Sequence, residues 1–439
     1  MASYANQLLV KALGSCRDAE VSEEVYTEVN LARPEQRSFQ SGLGLRVNID
    51  GRLGYAWSEG ELLENDILEQ AVKSAVDGVR GSFSQKGLTA SATVPDPQDG
   101  PELLEDSIKK MQVLIQGLDF MLPSLLPHRR FVLSARILQH TLKLTTRSGE
   151  RRASRRLHLL TLNSNEAIPV NDAIYSTQPE HSPAEILCRL TWRAVHSNEL
   201  AWPEVSDTAC VFTPTACAKL LEDFAEDLLS MRSPAFDDIP KNVPWLSPRV
   251  NLWDDGTLPG GFGTVPFDGE GLTHVPVALV VEGRLQHGLG DLSAARSHSE
   301  PPLGLAVRPW AAPPRCGYSN LCLGLGDQSM GELCTKVGFG ILLDRLTPLP
   351  KHMKKAGEFA RRCHTAFILQ HGRPVCRIPQ LIVRARYEDL LGPDLLGLGH
   401  ERVLCGRSLC APLAVRRVTL EEADIDPAEK GSDYPELWW

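Results

Sequence analysis

No HExxH occurs in this chain, nor a GxSxG elbow, nor a GxxxxGK[ST] phosphate loop. The first absence removes the helix on which a zincin sets two histidines one turn apart, with a glutamate between them to polarise zinc-bound water. The second removes the strained strand-to-helix turn that exposes a serine nucleophile. The third removes the backbone cradle for nucleotide phosphates. Gly324-Leu325-Gly326 has neither a third glycine nor the strand-to-helix setting of a dinucleotide loop, so no nucleotide cofactor is expected. Long apolar runs are missing as well. No stretch approaches the ~18 consecutive apolar residues that span a bilayer, and Met1 to Leu13 has no basic segment ahead of an apolar core. The expectation is a cytoplasmic protein without a membrane partner. Positive charge is in deficit, with 46 Lys and Arg against 55 Asp and Glu and a net charge of -9. That balance argues against non-specific attraction to nucleic acid or anionic lipid.

Disulfide patterning is absent too. The 11 cysteines are odd in number and spread from Cys16 to Cys410, unlike the compact framework of small secreted domains, and most read as buried thiols. Cys363-His364 with His371 and Cys376 is the nearest thing to a metal cluster, but its spacing fits no ligand pattern and His371 fills a turn. Cys405 and Cys410 fit core positions near a loop. There is no repeat period and no low-complexity tract.

What is present is ordinary globular chemistry: 439 residues, 42% hydrophobic and 23% charged, enough for two to three domains. Leu8, Leu9, Ala12 and Leu13 recur at helical spacing and predict a helix within Tyr4 to Val21. Ser41 to Trp57 alternates through Asp50-Gly51, a hairpin signal. Glu61 to Val79 carries the stripe of a helix packed on a sheet, Gly81 to Pro101 reads as a loop, and Pro101 to Gln116 as another helix. Phe131 to Arg147 reads as a strand pair. The basic run Arg147 to Arg156 reads as a solvated hairpin turn, since it lacks interleaved aromatics. Pro183 to Trp202 is helical. Ala201 to Asp207 breaks that helix and marks a boundary between a 1–205 N-terminal domain of sheet plus helices and a β-rich 206–439 domain, an α+β protein as a whole.

In the second half, Cys210 to Pro214 predicts a strand feeding a helix from Thr215 to Ser230. Glu222, Asp223, Glu226 and Asp227 lie on that helix opposite Leu220, Leu221, Phe224 and Leu228, the pattern of a solvated acidic face. Met231 to Pro266 is a long irregular connection. It leads to the most distinctive stretch, Gly260 to Arg296, where an acidic glycine loop, Asp268-Gly269-Glu270-Gly271, precedes an apolar strand at Val275 to Val281 and a tight turn at Glu282-Gly283-Arg284. Four special residues in a row fit a binding loop carried by a rigid hairpin, and equally a well-formed turn. Strands follow at Ser319 to Asp327, Phe339 to Leu343 and Ala414 to Leu420, with a short helix at Ser329 to Gly338 and a hairpin turning at His371-Gly372. An extended acidic tail runs from Glu421 to Trp439.

The order of these pieces resembles one family. GLGLRVNIDGRLGYAW followed by ELLENDILEQAVKSAV is similar to the strand pair and helix near the start of TldD/PmbA proteins. The LLEDFAEDL helix, PFDGEGLTHVPVALVVEGRLQHGLGDLSAAR, NLCLGLGDQSMGELCTKVGFGILL and AFILQHGRPVCRIPQLIV resemble its second half, in the same order. The family pairs a TldD-like subunit carrying an HExxxH zinc helix and a later cysteine ligand with a PmbA (TldE)-like subunit that lacks the histidines. Here the matching helix places Leu221 and Glu226 at the histidine positions, beside Glu222. Leucine cannot ligate zinc and one carboxylate is a poor substitute for two imidazoles.

The resemblance therefore implies the TldE side: a non-catalytic subunit with no cofactor of its own and zinc in a TldD-like partner. The pair would cleave unfolded or modified peptides, including leader segments in natural-product maturation. In that setting Asp268, Gly269, Glu270 and Gly271 would line a chamber holding an extended peptide by β-addition. Two alternatives stay open: altered chemistry using Glu222, Glu226 or cysteines, with a residual metal at Cys363, His364 or Cys405, and a homodimeric peptide-binding protein.

Overall fold

Asp50 and Gly51 both take positive φ, 50° and 80°, the left-handed pair a two-residue hairpin needs. They join β2 (Gln36–Ile49) to β3 (Arg52–Glu59), and the hairpin stands where the alternation predicts it. The computed structural model describes residues 4–31, 35–59, 64–83, 101–164, 170–178, 181–195, 200–202, 206–241 and 243–423. Most of the expected loop from Gly81 to Pro101 and of the acidic tail lies outside these residues.

The N-terminal half is a six-stranded antiparallel sheet in the order β3-β2-β1-β4-β5-β6, with β1 at Asp18–Asn30, β4 at Phe131–Thr146, β5 at Gly149–Ser164 and β6 at Asn171–Ser176. The first helix, α1 (Tyr4–Leu13), stops well short of Val21 because the helical period ends at Leu13; Val21 belongs to β1 and pairs with Leu45. Two further helices, α2 (Glu64–Val76) and α3 (Pro101–Leu125), follow the expected pattern, although α3 runs two turns past Gln116. Phe131 to Arg147 is one long strand of a hairpin rather than a strand pair.

One sheet face is apolar. Leu8, Leu9, Ile67 and Ala71 pack on Val21, Leu45 and Val47, while Met111 and Leu118 of α3 and Leu187 and Leu190 of α4 (Pro183–Val195) pack on Ile137, Leu160 and Leu162. The other face is polar, with Glu20, Ser22, Glu24, Arg46, His140 and Arg155 all buried against the C-terminal half. This burial overturns the reading of Arg147 to Arg156 as a solvated turn. The turn itself is confined to Arg147-Ser148, and sixteen-residue strands carry Arg155 and Arg156 deep into the sheet, where Arg156 donates to Gln139 Oε1 at 2.9 Å.

Glycine spacing in β2 serves this polar face. A Cβ on Gly42 would overlap the Trp57 ring, and one on Gly44 would stand 2.7 Å from the Tyr55 hydroxyl. Gly42→Val is accordingly expected to destabilise the protein by about 1–3 kcal/mol through overpacking, read as a shift of the urea midpoint with an unchanged slope.

In the C-terminal half, β7 (Asp207–Phe212) lies parallel to Gly340–Pro348 and antiparallel to Leu413–Glu422. The latter pairs with Leu381–Arg386, which pairs with Glu358–Gln370, which returns to Gly340–Pro348. These five strands close a barrel, to which Arg373–Ile378 adds along Glu358–Gln370 and Leu395–Leu398 along Leu413–Glu422 as edge strands. A second sheet, built from Leu252–Asp254, Val277–Val281, Arg284–Leu285, Leu321–Leu323, Val403–Cys405 and Ser408–Cys410, lies beside it. The helix α5 (Pro214–Phe224) packs against both, on Gly340–Pro348 and Ser408–Cys410. Hairpin turns stand at Glu282-Gly283 and His371-Gly372 with positive φ at all four residues, and Ser329 and Glu332 form a capping box that starts the predicted short helix.

Candidate functional site

Two places gather the residues singled out in the sequence: the acidic loop Asp268-Gly269-Glu270-Gly271 and the acidic helix from Leu221 to Asp227.

The loop lies in the seam between the N-terminal sheet and the C-terminal half. Asp268 and Glu270 are each 1% exposed. Asp268 Oδ1 accepts from the backbone N–H of Glu270 and Leu272 at 2.9 and 2.8 Å, and Oδ2 from Ala306 at 3.1 Å, so this carboxylate shapes the loop. Glu270 accepts from Arg46 at 2.5 Å and from the Leu292 N–H at 2.6 Å. Gly271 takes the positive φ that closes the turn, and a Cβ on Gly269 would press on the Val307–Arg308 backbone. Burial, and then the mutual charge of the two acids, raises the Asp268 pKa; burial raises that of Glu270, against the Arg46 charge. For these carboxylates to contact a peptide, their present partners would have to be displaced.

Nearby Asp254, wholly buried, accepts from Ser319 N and Oγ at 2.7 and 2.8 Å, and burial pushes its pKa from 3.8 to about 7. A raised carboxyl pKa means the folded state holds the proton more tightly. Its stabilising contribution is complete below about pH 4 and is lost as pH rises through 7, at up to about 1.4 kcal/mol per pH unit. Urea midpoints of the wild type relative to Asp254→Asn, measured from pH 4 to 8, are expected to fall over that window.

The acidic helix begins at Thr213, whose hydroxyl accepts from Ala216 N at 3.3 Å while donating to Asp344 at 2.9 Å, and Pro214 fits the first turn, where no N–H is needed. Ala216, Cys217, Leu220, Leu221 and Phe224 are buried. From Ala225 to Leu229 the helix widens into a π turn, a form common at functional sites because the extra residue re-aims side chains.

The expected solvated acidic face is only partly present. Asp223 is buried and held by Nε and Nη2 of Arg361 at 2.9 and 2.7 Å, with Lys354 at 3.5 Å. Asp227 accepts from Lys354 at 3.1 Å and from the Tyr387 hydroxyl at 2.6 Å, and Glu222 pairs with Lys219 at 2.8 Å. Arg361, Lys354 and Tyr387 come from the far end of the chain, and nothing in the sequence marked them. Glu226 differs from its neighbours. Its carboxyl reaches solvent and takes no hydrogen bond or ion pair among the described residues. Reduced hydration on its inner side, then the charges of Asp223 and Glu222, nevertheless raise its pKa. Arg407 is buried within electrostatic reach of Glu222 and Glu226, and donates to the Tyr318 carbonyl at 3.3 Å.

Leu221 is fully buried in the C-terminal core, where a leucine side chain offers no donor atom. Cys363 and His364 are adjacent on one strand and so point to opposite faces: Cys363 donates to the Thr365 carbonyl at 3.2 Å and His364 Nε2 lies 2.7 Å from the Thr347 hydroxyl. His371 packs edge-on against Phe339 at a turn. Among the described residues no three His, Cys, Asp or Glu side chains are placed to hold a metal ion, and no helix is long and apolar enough to cross a membrane.

Residues 206–422 match the model of the PmbA/TldA metallopeptidase C-terminal domain. No curated protein matches the chain. Among solved structures, a TldE of Thermococcus kodakarensis superposes with a TM-score of 0.72 at 14% identity, over 95% of this chain and 99% of its own. A proposed DNA gyrase modulator of Bacteroides thetaiotaomicron gives 0.75 at 16% identity, over 95% and 98%. A similar protein of Thermotoga maritima gives 0.71 at 17% identity, over 94% and 98%. These likenesses establish a common fold across nearly the whole chain, and with the family match over its C-terminal half they identify the chain as a member of the PmbA/TldD family.

Proposed function

We propose that this chain is the TldE-type, non-zinc subunit of a two-subunit metallopeptidase, acting in the cytoplasm on unfolded or modified peptides, with zinc supplied by a TldD-like partner. The observation that carries this reading is the α5 helix and its π turn. At the two positions where the resemblance calls for histidines, the chain has Leu221, sunk in the core, and a lone glutamate, Glu226. Zinc needs three or four ligands of suitable donor type, and of these two positions only Glu226 carries a donor atom. What remains is a carboxylate-rich, Arg- and Tyr-braced surface able to contribute a wall to a chamber closed by another subunit.

Co-expression with an HExxxH-bearing chain tests this. The expected result is a complex of both chains in size analysis and peptide cleavage that disappears when either is omitted. Failure to associate, or full activity of the partner alone, would overturn it.

The unpartnered Glu226 with its raised pKa favours a second reading, in which this chain supplies an acid or base of its own. Glu226→Gln in the assembled complex separates the two. An acid–base role predicts a kcat loss of about 100-fold or more. A wall role predicts that kcat stays within about threefold and any change falls on KM.

A further inference from the structure

The polar face of the N-terminal sheet holds a group of buried atoms that no described residue satisfies. On β1, Ser22 and Glu24 point to this face opposite Gly44 and Gly42 of β2. The absent side chains of those glycines leave room for β3 to lean in. The Trp57 ring lies over Gly42 by Cζ2, next to the Cε2 atom that carries Nε1, and the Tyr55 hydroxyl lies over Gly44. From the C-terminal half, Arg308 and Trp310 cover the same spot. Arg308 donates to the Gly269 carbonyl at 2.9 Å and pairs with Glu20. Trp310 packs against Trp57, Tyr26 and His140 with ring centroids 5.1, 6.0 and 6.0 Å away.

Glu24 Oε2 is engaged by His140 Nε2 at 3.0 Å, yet Glu24 Oε1 has no hydrogen-bond partner. Neither do Trp57 Nε1 and Arg308 Nη1, and the Ser22 and Tyr55 hydroxyls lie together across Gly44, within reach of each other but with no further partner among the described residues. Burying so many polar atoms unpaired in one place is costly, and native proteins rarely accept it without an occupant.

The inventory of these atoms restricts the occupant. Trp57 Nε1 and Arg308 Nη1 can only donate, Glu24 Oε1 accepts, and the two hydroxyls do either. A lone cation would leave both donors unmet, and a lone anion would oppose Glu24. A neutral group carrying one carbonyl and at least one N–H meets both demands. We propose that this trough between the two halves binds an amide, its carbonyl taken by Trp57 and Arg308 and its N–H by Glu24. Tyr26, Trp57 and Trp310, each only partly buried, form the rim through which it is reached. The site belongs to the chain itself and requires no partner subunit, so its test is independent of the metallopeptidase reading.

The full chain labelled with 5-fluorotryptophan reports binding through the ¹⁹F resonances of Trp57 and Trp310, assigned with Trp57→Phe and Trp310→Phe. N-methylacetamide represents a peptide unit and propionamide a carboxamide side chain; whichever binds more tightly identifies the source. The expected result is a saturable shift at Trp57 with at least one of them. N,N-dimethylacetamide, which lacks an N–H, should bind about tenfold more weakly, as should the better amide to Glu24→Gln, each losing one hydrogen bond to a charged acceptor. Trp57→Phe, read through the Trp310 resonance, removes a donor to the amide carbonyl, should weaken binding in the same direction, and covers the event that Glu24→Gln fails to fold. The proposal is overturned if neither amide gives a saturable shift, if acetate or methylammonium does as well, if the dimethyl compound binds equally, or if a high-resolution structure in the presence of the amide shows ordered water only.

Discussion

Replacing Glu270 by alanine is expected to cost about 3–5 kcal/mol of stability, because it strands a buried charge rather than removing a contact. Arg46 is 4% exposed at its side chain and its guanidinium lies on the Glu270 carboxylate. With the carboxylate gone, that charge faces protein instead of water, and the Leu292 N–H at the start of the following helix loses its acceptor as well. The pair joins the N-terminal sheet to the C-terminal half, so the loss is expected to appear as uncoupled unfolding: two transitions in urea, with the sheet melting first, where the wild type shows one. Replacing Arg46 and Glu270 together with leucine and methionine should recover most of the stability, since an apolar pair of similar volume often matches a buried ion pair. Recovery in the double variant would separate a stranded charge from simple loss of packing. A Glu270→Ala protein as stable as wild type would show that the seam is hydrated.

Asp223→Ala is expected to have an effect of similar size, about 3–5 kcal/mol, for the same reason at a different place. Arg361 is almost wholly buried and gives both of its bidentate hydrogen bonds to Asp223. This pair ties the end of α5 to a barrel strand just ahead of the π turn, and so fixes where Glu226 and Asp227 point. Beyond the stability loss, measured by denaturant titration, the variant should lower peptide cleavage by the proposed two-subunit complex even at temperatures where it remains folded. Glu222→Ala is the control. Its partner Lys219 is partly exposed, and an ion pair of that kind contributes about 1 kcal/mol or less.

Both effects concern residues whose importance was only half legible. Asp268, Gly269, Glu270 and Gly271 stood out as a loop of unusual backbone, and the backbone is indeed unusual. What the sequence could not reveal is the direction the side chains face, because Arg46 lies more than two hundred residues away and nothing local links the two. The same holds for the helix. Its apolar stripe placed Leu221 and Phe224 inside, but the stripe assigned Asp223 to water, and only Arg361, brought back by closure of the barrel, makes its burial tolerable. Arg155 and Arg156 were misread for this reason too: a run of arginines looks solvated until a second half covers the sheet that carries it.

The sequence by itself determined the local chemistry: the hairpins at Asp50-Gly51, Glu282-Gly283 and His371-Gly372, the capped helix at Ser329, the mixed α+β character, and the order of motifs that resembles one family. These depend on φ preferences and on periods of two and 3.6 residues, which are written in neighbouring residues. Tertiary structure alone decided that five strands close into a barrel, that the acidic glycine loop is a buried joint between halves, and that one carboxylate of four, Glu226, has no hydrogen bond or ion pair among the described residues. Those outcomes depend on which charges are brought within a few ångströms of one another after folding, and that pairing energy has no local signature in the chain.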